Sequence, residues 1–127
     1  MKAHFILYVA DQQRAARFYS SVLGVEPTFD VPGMTEFTLH DGCILGLMPE
    51  AGIKRLLGER LPDPARAAGI PRAELYLHVD DPAAFHRRAL EHGARELAPL
   101  APRDWGDDVA YSLDPDGCVL AFARRMS

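Results

Sequence analysis

Residues 113–122, Leu-Asp-Pro-Asp-Gly-Cys-Val-Leu-Ala-Phe, place a turn-forming tetrad between two runs of strand-forming residues. Proline at the second turn position and glycine at the fourth favour a type I turn with a glycine bulge, which predicts a β-hairpin. The acids of this turn are expected to be turn formers, because their carboxylates bond nearby amides. Residues 39–47, Leu-His-Asp-Gly-Cys-Ile-Leu-Gly-Leu, have nearly the same pattern with a shorter turn. The hairpin is therefore expected to occur twice.

The repeat extends upstream of both hairpins. Residues 4–11, His-Phe-Ile-Leu-Tyr-Val-Ala-Asp, match residues 74–81, Glu-Leu-Tyr-Leu-His-Val-Asp-Asp. Each copy reads as an apolar strand that leads into a helix, and each helix is expected to stop at a glycine, Gly24 or Gly93. The chain is thus predicted to be an α+β protein made of two tandem β-α-β-β-β units. Units of this size are too small to bury separate cores, so they are expected to share one.

The segment between the two copies has no counterpart elsewhere and contains four of the ten prolines. We expect it to be a solvated connector, with one helical turn around Ile53 as the alternative. In the second copy we expect a short strand at 95–97 and a loop at 99–108 that contains the only tryptophan. The predicted boundaries within a single domain, 1–127, are unit one at 1–48, a linker at 49–72 and unit two at 73–127.

Composition and charge argue against several classes of function. The 127 residues are 48% hydrophobic and 25% charged with a formal net charge of −4, which is typical of a globular domain. No basic run suggests nucleic acid or a membrane surface as a partner, and no apolar run approaches the length of a membrane span. The N-terminus lacks the pattern of a secretion signal, so we expect a cytoplasmic protein. Cys43 and Cys118 follow the two turns and are expected to be reduced packing residues.

Alternation along the first strand of each unit predicts which side chains share a face. Phe5, Leu7 and Val9, with their counterparts in unit two, form the more apolar set and are expected beneath the helices. The opposite face then carries His4, Ile6, Tyr8, Glu74, Tyr76 and His78. If the hairpins pair about their turns, this face gains Phe37, Leu39, Ile44, Gly46, Met48, Tyr111, Leu113, Val119, Ala121 and Ala123. So much apolar area among polar groups favours a cavity over a solvated surface.

The sequence resembles the vicinal oxygen chelate superfamily, which includes glyoxalases, extradiol dioxygenases, fosfomycin-resistance enzymes and bleomycin-resistance binding proteins. The resemblance covers nearly the whole chain. It rests on the strand 4–9, the helix that closes with Phe18-Tyr19 and Leu23-Gly24, the Trp105-Gly106 loop, and Asp114-Pro115-Asp116-Gly117. It implies that two units form a cup-shaped mixed sheet around the active site, with helices outside, within one chain or across a dimer.

Enzymes of that superfamily hold a divalent metal in the cup, with ligands from the first and last strand of each unit. The resemblance places those positions at His4, Gly46, Glu74 and Ala121, of which only His4 and Glu74 have side chains that coordinate a metal. We therefore expect no cofactor, and we expect His4 to hydrogen bond to Glu74. One divalent metal, with His78 or an acidic loop residue completing the ligand set, is the alternative.

Three functions are compatible with the sequence. The first is a metal-free protein, similar to the bleomycin-resistance branch, that binds an antibiotic or another aromatic or cationic small molecule. The second is a metal-dependent lyase or dioxygenase with a degenerate ligand set. The third is a metal-free enzyme in which His4 or Glu74 moves a proton. The resemblance also implies a homodimer. The candidate ligand-binding residues are His4, Tyr8, Phe37, Glu74, Tyr76, His78, Trp105 and Tyr111.

Overall fold

The computed structural model describes residues 1–127, and the chain divides into two compact units. Unit one comprises Met1–Ser20 and Gly24–Ala68, and unit two comprises Gly69–Ser127 together with Ser21–Leu23. Each unit contains a four-stranded mixed sheet, and the chain forms three α-helices. The fold is α+β with two repeated units, as the sequence predicts. None of the three helices has the length and apolar character needed to cross a membrane.

The elements of the first copy are β1 (Ala3–Val9), α1 (Gln12–Leu23), β2 (Phe29–Val31), β3 (Met34–His40), β4 (Cys43–Pro49) and α2 (Glu50–Leu57). Its sheet has the strand order β1-β4-β3-β2, in which β1 runs parallel to β4 and the other pairs are antiparallel. Helix α1 begins after Asp11, whose side chain accepts a hydrogen bond from the Arg14 amide, and ends at Gly24 in the left-handed conformation.

The segment expected to be a solvated connector is partly helical, so that expectation was wrong for its first third. Residues Glu50–Leu57 form α2, and Ile53 on this helix is buried while Leu56 remains exposed. The Lys54 ammonium donates to the carbonyls of Gly58 and Leu61 and so satisfies groups at the end of the helix. The burial of one apolar side chain and this cap stabilise a helix that the surrounding prolines obscure in the sequence.

The elements of the second copy are β5 (Glu74–His78), α3 (Pro82–Glu91), β6 (Arg95–Pro102), β7 (Asp107–Leu113) and β8 (Val119–Arg125). Its sheet has the order β5-β8-β7-β6, in which only β5 and β8 are parallel. The strand expected at 95–97 runs on to Pro102, so the predicted loop at 99–108 shrinks to a turn between two strands. Helix α3 packs against β7 and β8, with the Phe85 ring 5.6 Å from that of Phe122.

The turn between β7 and β8 has the predicted form. Asp114 Oδ1 accepts hydrogen bonds from the amides of Asp116 and Cys118 at 2.9 and 2.8 Å. Gly117 has φ 97°, a conformation that L residues rarely adopt. Asp114 is thus a turn former, as expected, and Cys43 and Cys118 are free thiols.

The helix-facing side of the unit-one sheet is only partly covered. Leu45 and Leu47 on β4 are fully buried. Phe5 pairs with Leu45 and therefore shares its face, yet its side chain is 59% exposed. The expectation of burial was therefore wrong for Phe5 but right for Val9, which is fully buried farther along the same face of this edge strand.

Candidate functional site

One face of the unit-two sheet gathers most of the predicted binding residues. Directly paired residues of neighbouring strands point to the same side of a sheet, and Tyr76 pairs with Ala121, which in turn pairs with Tyr111. Alternation along the strands then assigns the rest of this surface, which we name the tyrosine face. Its strand residues are Glu74, Tyr76, His78, Asp107, Val109, Tyr111, Leu113, Val119, Ala121, Ala123 and Arg125.

A chain of hydrogen bonds crosses the tyrosine face. The Tyr76 hydroxyl donates to Asp107 Oδ2 at 2.6 Å and accepts from Trp105 Nε1 at 2.9 Å. Arg125 donates from Nη1 to the Trp105 carbonyl at 3.2 Å and lies 3.5 Å from Asp107 Oδ1. Fully buried Ala123 lies between Tyr76 and Asp107 on this face, and its small side chain leaves room for the tyrosine ring. The indole of Trp105 is therefore held in one orientation while 49% of the residue stays exposed.

The charges in this chain follow from its geometry. The hydrogen bond from Tyr76 lowers the pKa of Asp107 against the opposing effect of burial, and Arg125 lowers it further. Burial raises the pKa of Tyr76, and the bond to Asp107 raises it as well. At neutral pH Asp107 is consequently a carboxylate and Tyr76 is a neutral donor. Asp107 is bonded to Tyr76 and paired with Arg125, so its carboxylate is not available to a cationic ligand.

A second cluster of charges surrounds Tyr111. The Arg103 guanidinium lies over the Tyr111 ring, with Cζ 5.2 Å from the ring centroid. Burial raises the pKa of the Tyr111 hydroxyl, the Glu74 carboxylate raises it further, and Arg103 opposes the increase. Arg103 was not among the predicted site residues, because the predicted loop gave its side chain no assigned face. A strand extended to Pro102 would have placed Arg103 on the face of Ala101, opposite Asp107, whose carbonyl accepts from the Arg103 amide.

The remaining predicted residues of unit two lie around the same face. Glu74 and His78 are exposed at the two ends of β5. The His78 ring packs edge-on against Tyr76, with centroids 5.4 Å apart. Glu74 has no hydrogen-bonding or ionic partner in the protein, so its carboxylate is available to a ligand.

Unit one holds two of the predicted residues, His4 and Tyr8, on one face of β1. His4 Nδ1 lies 3.4 Å from Glu36 Oε2, where the sequence led us to expect Glu74 as the neighbouring acid. Glu36 pairs with Gly46 across the β3–β4 ladder. His4 pairs with Ile44 of β4, so Ile44 and Gly46 lie between the strands that carry the imidazole and the carboxylate. Tyr8 is 43% exposed on this edge strand.

The assignment of Phe37 to the binding face was wrong. The hairpin contains an irregularity between Thr38 and His40, which shifts the pairing by one residue. Phe37 therefore pairs with Leu45 on the opposite face and is fully buried. A shift of one residue moves every side chain of a strand to the other side of the sheet. Phe37 is a core residue and has no contact with the binding face.

The donor set does not fit the divalent metal that the superfamily resemblance implies. A side chain built at Gly46 would meet Ile6 Cγ1 at 3.1 Å and Met34 Sδ at 3.2 Å, so apolar atoms fill this position. Ala121 is fully buried and also lacks a donor. No three His, Cys, Asp or Glu side chains converge in a way that could hold a metal. His4 and Glu74 are the only residues at the four ligand positions with coordinating atoms.

Unit one also contains a pocket of about 190 Å³ beside the first turns of α1. Gln12 Nε2 donates to Thr35 Oγ1 and the Val31 carbonyl, and Gln12 Oε1 accepts from the Gly33 amide. The Gln12 side-chain amide thus connects the β2–β3 turn to α1 by hydrogen bonds, and its donors and acceptor already have partners in the protein. The pocket is lined by Gln12, Gln13, Ala16, Arg17, Asp30 and Thr35.

Comparisons with known proteins agree on the fold. The family model described as Glyoxalase/Bleomycin resistance protein/Dioxygenase superfamily matches residues 3–122. A glyoxalase-related enzyme from Fulvimarina pelagi is 22% identical with a TM-score of 0.82, over 98% of this chain and 88% of that one. A glyoxalase/bleomycin resistance protein/dioxygenase family enzyme from Burkholderia phytofirmans is 18% identical with a TM-score of 0.78, over 97% of each chain. No curated protein matches. At these identities the solved structures show the shared fold alone.

Proposed function

The chain belongs to the glyoxalase/bleomycin resistance protein/dioxygenase superfamily, and we propose that it binds a planar aromatic small molecule on the tyrosine face of unit two without a metal. The observation that carries this proposal is the fixed orientation of the exposed Trp105 indole, held by the Tyr76 hydroxyl. An aromatic ring that is both exposed and oriented offers a stacking surface at little cost in side-chain entropy.

The polar groups on the same face support this proposal. Tyr76 and Tyr111 add flat apolar area, and both pack against the buried residues Val109, Ala121 and Ala123, which support them from below. Glu74 is the acid on this face with no partner in the protein, so it is suited to anchor a cationic group on the ligand. Sites of this kind combine apolar walls with a few polar groups that set the orientation of the bound molecule. Antibiotics with planar cationic parts belong to the proposed class.

Fluorescence provides a direct test, since Trp105 is the only tryptophan. Titration with a panel of planar aromatic amines, some of them antibiotics, is expected to change Trp105 emission saturably. Glu74→Ala should weaken the binding of a cationic member about fivefold, about 1 kcal/mol, because Glu74 is exposed. Glu91→Ala, which removes the same charge from exposed Glu91 at the end of α3, is the matched control. A panel that leaves the emission unchanged contradicts the proposal.

We also propose that the protein is a homodimer that uses the edge strand β1 of unit one. This edge strand exposes Phe5 by 59%, Ile6 by 40% and Tyr8 by 43%, on both of its faces. Edge strands with exposed apolar side chains readily associate unless something covers them. Light scattering behind a sizing column should give twice the 14.0 kDa chain mass. Ile6→Lys should reduce that mass to one chain, and a wild-type monomer at micromolar concentration would contradict the proposal.

One observation favours a second candidate, a metal-free enzyme. The His4 imidazole and the Glu36 carboxylate lie 3.4 Å apart on the sheet of unit one, and such pairs transfer protons in general acid–base catalysis. Under this alternative, Glu36→Gln would abolish turnover of a small carbonyl substrate while leaving aromatic ligand binding to unit two unchanged. Absence of turnover in the wild type across a panel of such substrates would contradict the enzymatic alternative, and ligand binding would remain as the only proposed function.

A further inference from the structure

Arg103 is held on the tyrosine face without a carboxylate partner. Its Nη2 donates to the carbonyls of Pro99 and Val109 at 3.1 and 3.0 Å, and its guanidinium lies over the Tyr111 ring. Two neutral carbonyls and a ring fix the position of the group but do not neutralise its charge. A localised guanidinium with no carboxylate in contact is a binding element for anions.

The structural role of Arg103 accounts for only part of its hydrogen-bonding capacity. The β6–β7 ladder is irregular between Ala98 and Ala101. The Nη2 group satisfies two carbonyls at this irregularity, which explains why a long donor is useful there. Nε is buried without an acceptor, and Nη1 also meets none in the protein. Nε and Nη1 are therefore not needed to stabilise the β6–β7 hairpin.

We propose that Arg103 recognises a carboxylate on the aromatic compound that occupies the tyrosine face. This inference rests on the proposed function and adds the chemical class of the ligand. Nη1 supplies the charge-assisted hydrogen bond, and the exposed Trp105 indole on the same face receives the apolar body of the ligand. Glu74 acts on the same tyrosine, so the face presents an unpaired acid and an unpaired base around one ring. Aromatic compounds that carry both a carboxylate and an ammonium match this arrangement best.

The test compares three probes of equal size by ¹H–¹⁵N correlation spectra of the labelled protein. Benzoate carries the carboxylate, benzamide is its neutral analogue, and benzylamine carries an ammonium. We expect benzoate to bind at least about tenfold more tightly than benzamide, the usual difference for a hydrogen bond to a charged group. The resonances that shift should include the amides around Trp105 and Tyr111. The net charge of −4 opposes non-specific binding of benzoate, so a preference for it requires a local cation.

Three variants separate recognition from a purely structural role. Arg103→Gln should remove the preference for benzoate, and Arg103→Lys should keep part of it because an ammonium remains. Arg124→Gln removes the same charge from a residue that pairs with Asp108 on the other side of the sheet, and it should leave the preference intact. Equal binding of benzoate and benzamide to the wild type overturns the inference without any variant, as does a preference that persists in Arg103→Gln.

The failure of this inference differs from the failure of the proposed function. If benzamide and benzylamine shift the tyrosine-face resonances while benzoate does not, the aromatic site stands and the role of Arg103 is wrong. If none of the three probes shifts these resonances at tens of millimolar, both proposals fall. Both proposals also fall if the probes shift only resonances of residues outside the tyrosine face.

Discussion

Replacing Tyr76 with phenylalanine removes one oxygen atom and interrupts the hydrogen-bond chain at its centre. The hydroxyl donates at 2.6 Å to a carboxylate and accepts at 2.9 Å from the Trp105 indole. Loss of the hydroxyl should destabilise the protein by about 1.5–3 kcal/mol, the usual value for a hydrogen bond to a charged group. The indole N–H is near solvent and adds little to this cost. For a domain of this size the change lowers the melting temperature by roughly 5–10 °C.

Thermal unfolding followed by circular dichroism measures this effect, with Tyr111→Phe as the matched control. Tyr111 lies on the same face, but its hydroxyl has no hydrogen-bond partner in the protein. Tyr111→Phe should therefore lower the melting temperature less than Tyr76→Phe does. The emission of Trp105 should also shift in Tyr76→Phe because the ring is no longer anchored. If the two variants melt at the same temperature, the hydrogen-bond chain does not stabilise unit two as argued.

The pH dependence of the same variant has a defined sign. The Tyr76 bond lowers the pKa of Asp107 from its ordinary value of 3.8. A lowered pKa contributes stability that is present above the value in the unfolded chain and is lost as the pH falls through the value in the folded protein. The difference in unfolding free energy between wild type and Tyr76→Phe should therefore have its full size at pH 7 and decrease below about pH 3.8. A difference that increases on acidification would refute the assignment of Tyr76 as the donor to a charged Asp107.

Further expectations concern turns and metal content. Gly117→Ala should destabilise the protein more than Gly33→Ala by about 1–3 kcal/mol. Both glycines have φ 97°, but a side chain at Gly117 would meet the Gly69 carbonyl oxygen at 2.5 Å, whereas a side chain at Gly33 would meet nothing within 4 Å. Chemical denaturation compares the two. Asp114→Ala should cost about 1–3 kcal/mol by the same measurement, because two amides lose their acceptor, whereas Asp114→Asn keeps one oxygen and should cost less. Elemental analysis after dialysis should find no stoichiometric zinc, nickel, manganese or iron, since two of the four family ligand positions carry no donor.

The sequence predicts the repeat and both hairpins because turn residues act locally. Asp114 and Gly117 determine a turn through their own backbone and side-chain bonds, and the pairing of Tyr111 with Ala121 follows from it. In unit one the same reasoning failed at Phe37. A one-residue bulge after Thr38 has no signature in the sequence, yet it reverses the face of the strand.

The binding-face chemistry of unit two depends on contacts that composition and spacing do not encode. The bond between Trp105 and Tyr76 joins residues 29 positions apart, and its length is set by how the β6–β7 turn folds over the sheet. Arg103 was missed for a related reason, since its role depends on an irregular ladder at residues 98–101. Alternation predicts which face a strand residue occupies, but it does not extend to the turn residues that reach back over that face.

The two units place a comparable polar contact across their sheets. In each, a side chain on the first strand meets an acid on the third strand across the fourth: His4 meets Glu36 in unit one, and Tyr76 meets Asp107 in unit two. The superfamily resemblance places metal donors on these same fourth strands, at Gly46 and Ala121, and neither residue has a donor atom in its side chain. Because each acid already has a partner on a neighbouring strand, neither acid is free to complete the ligand set that those two positions lack.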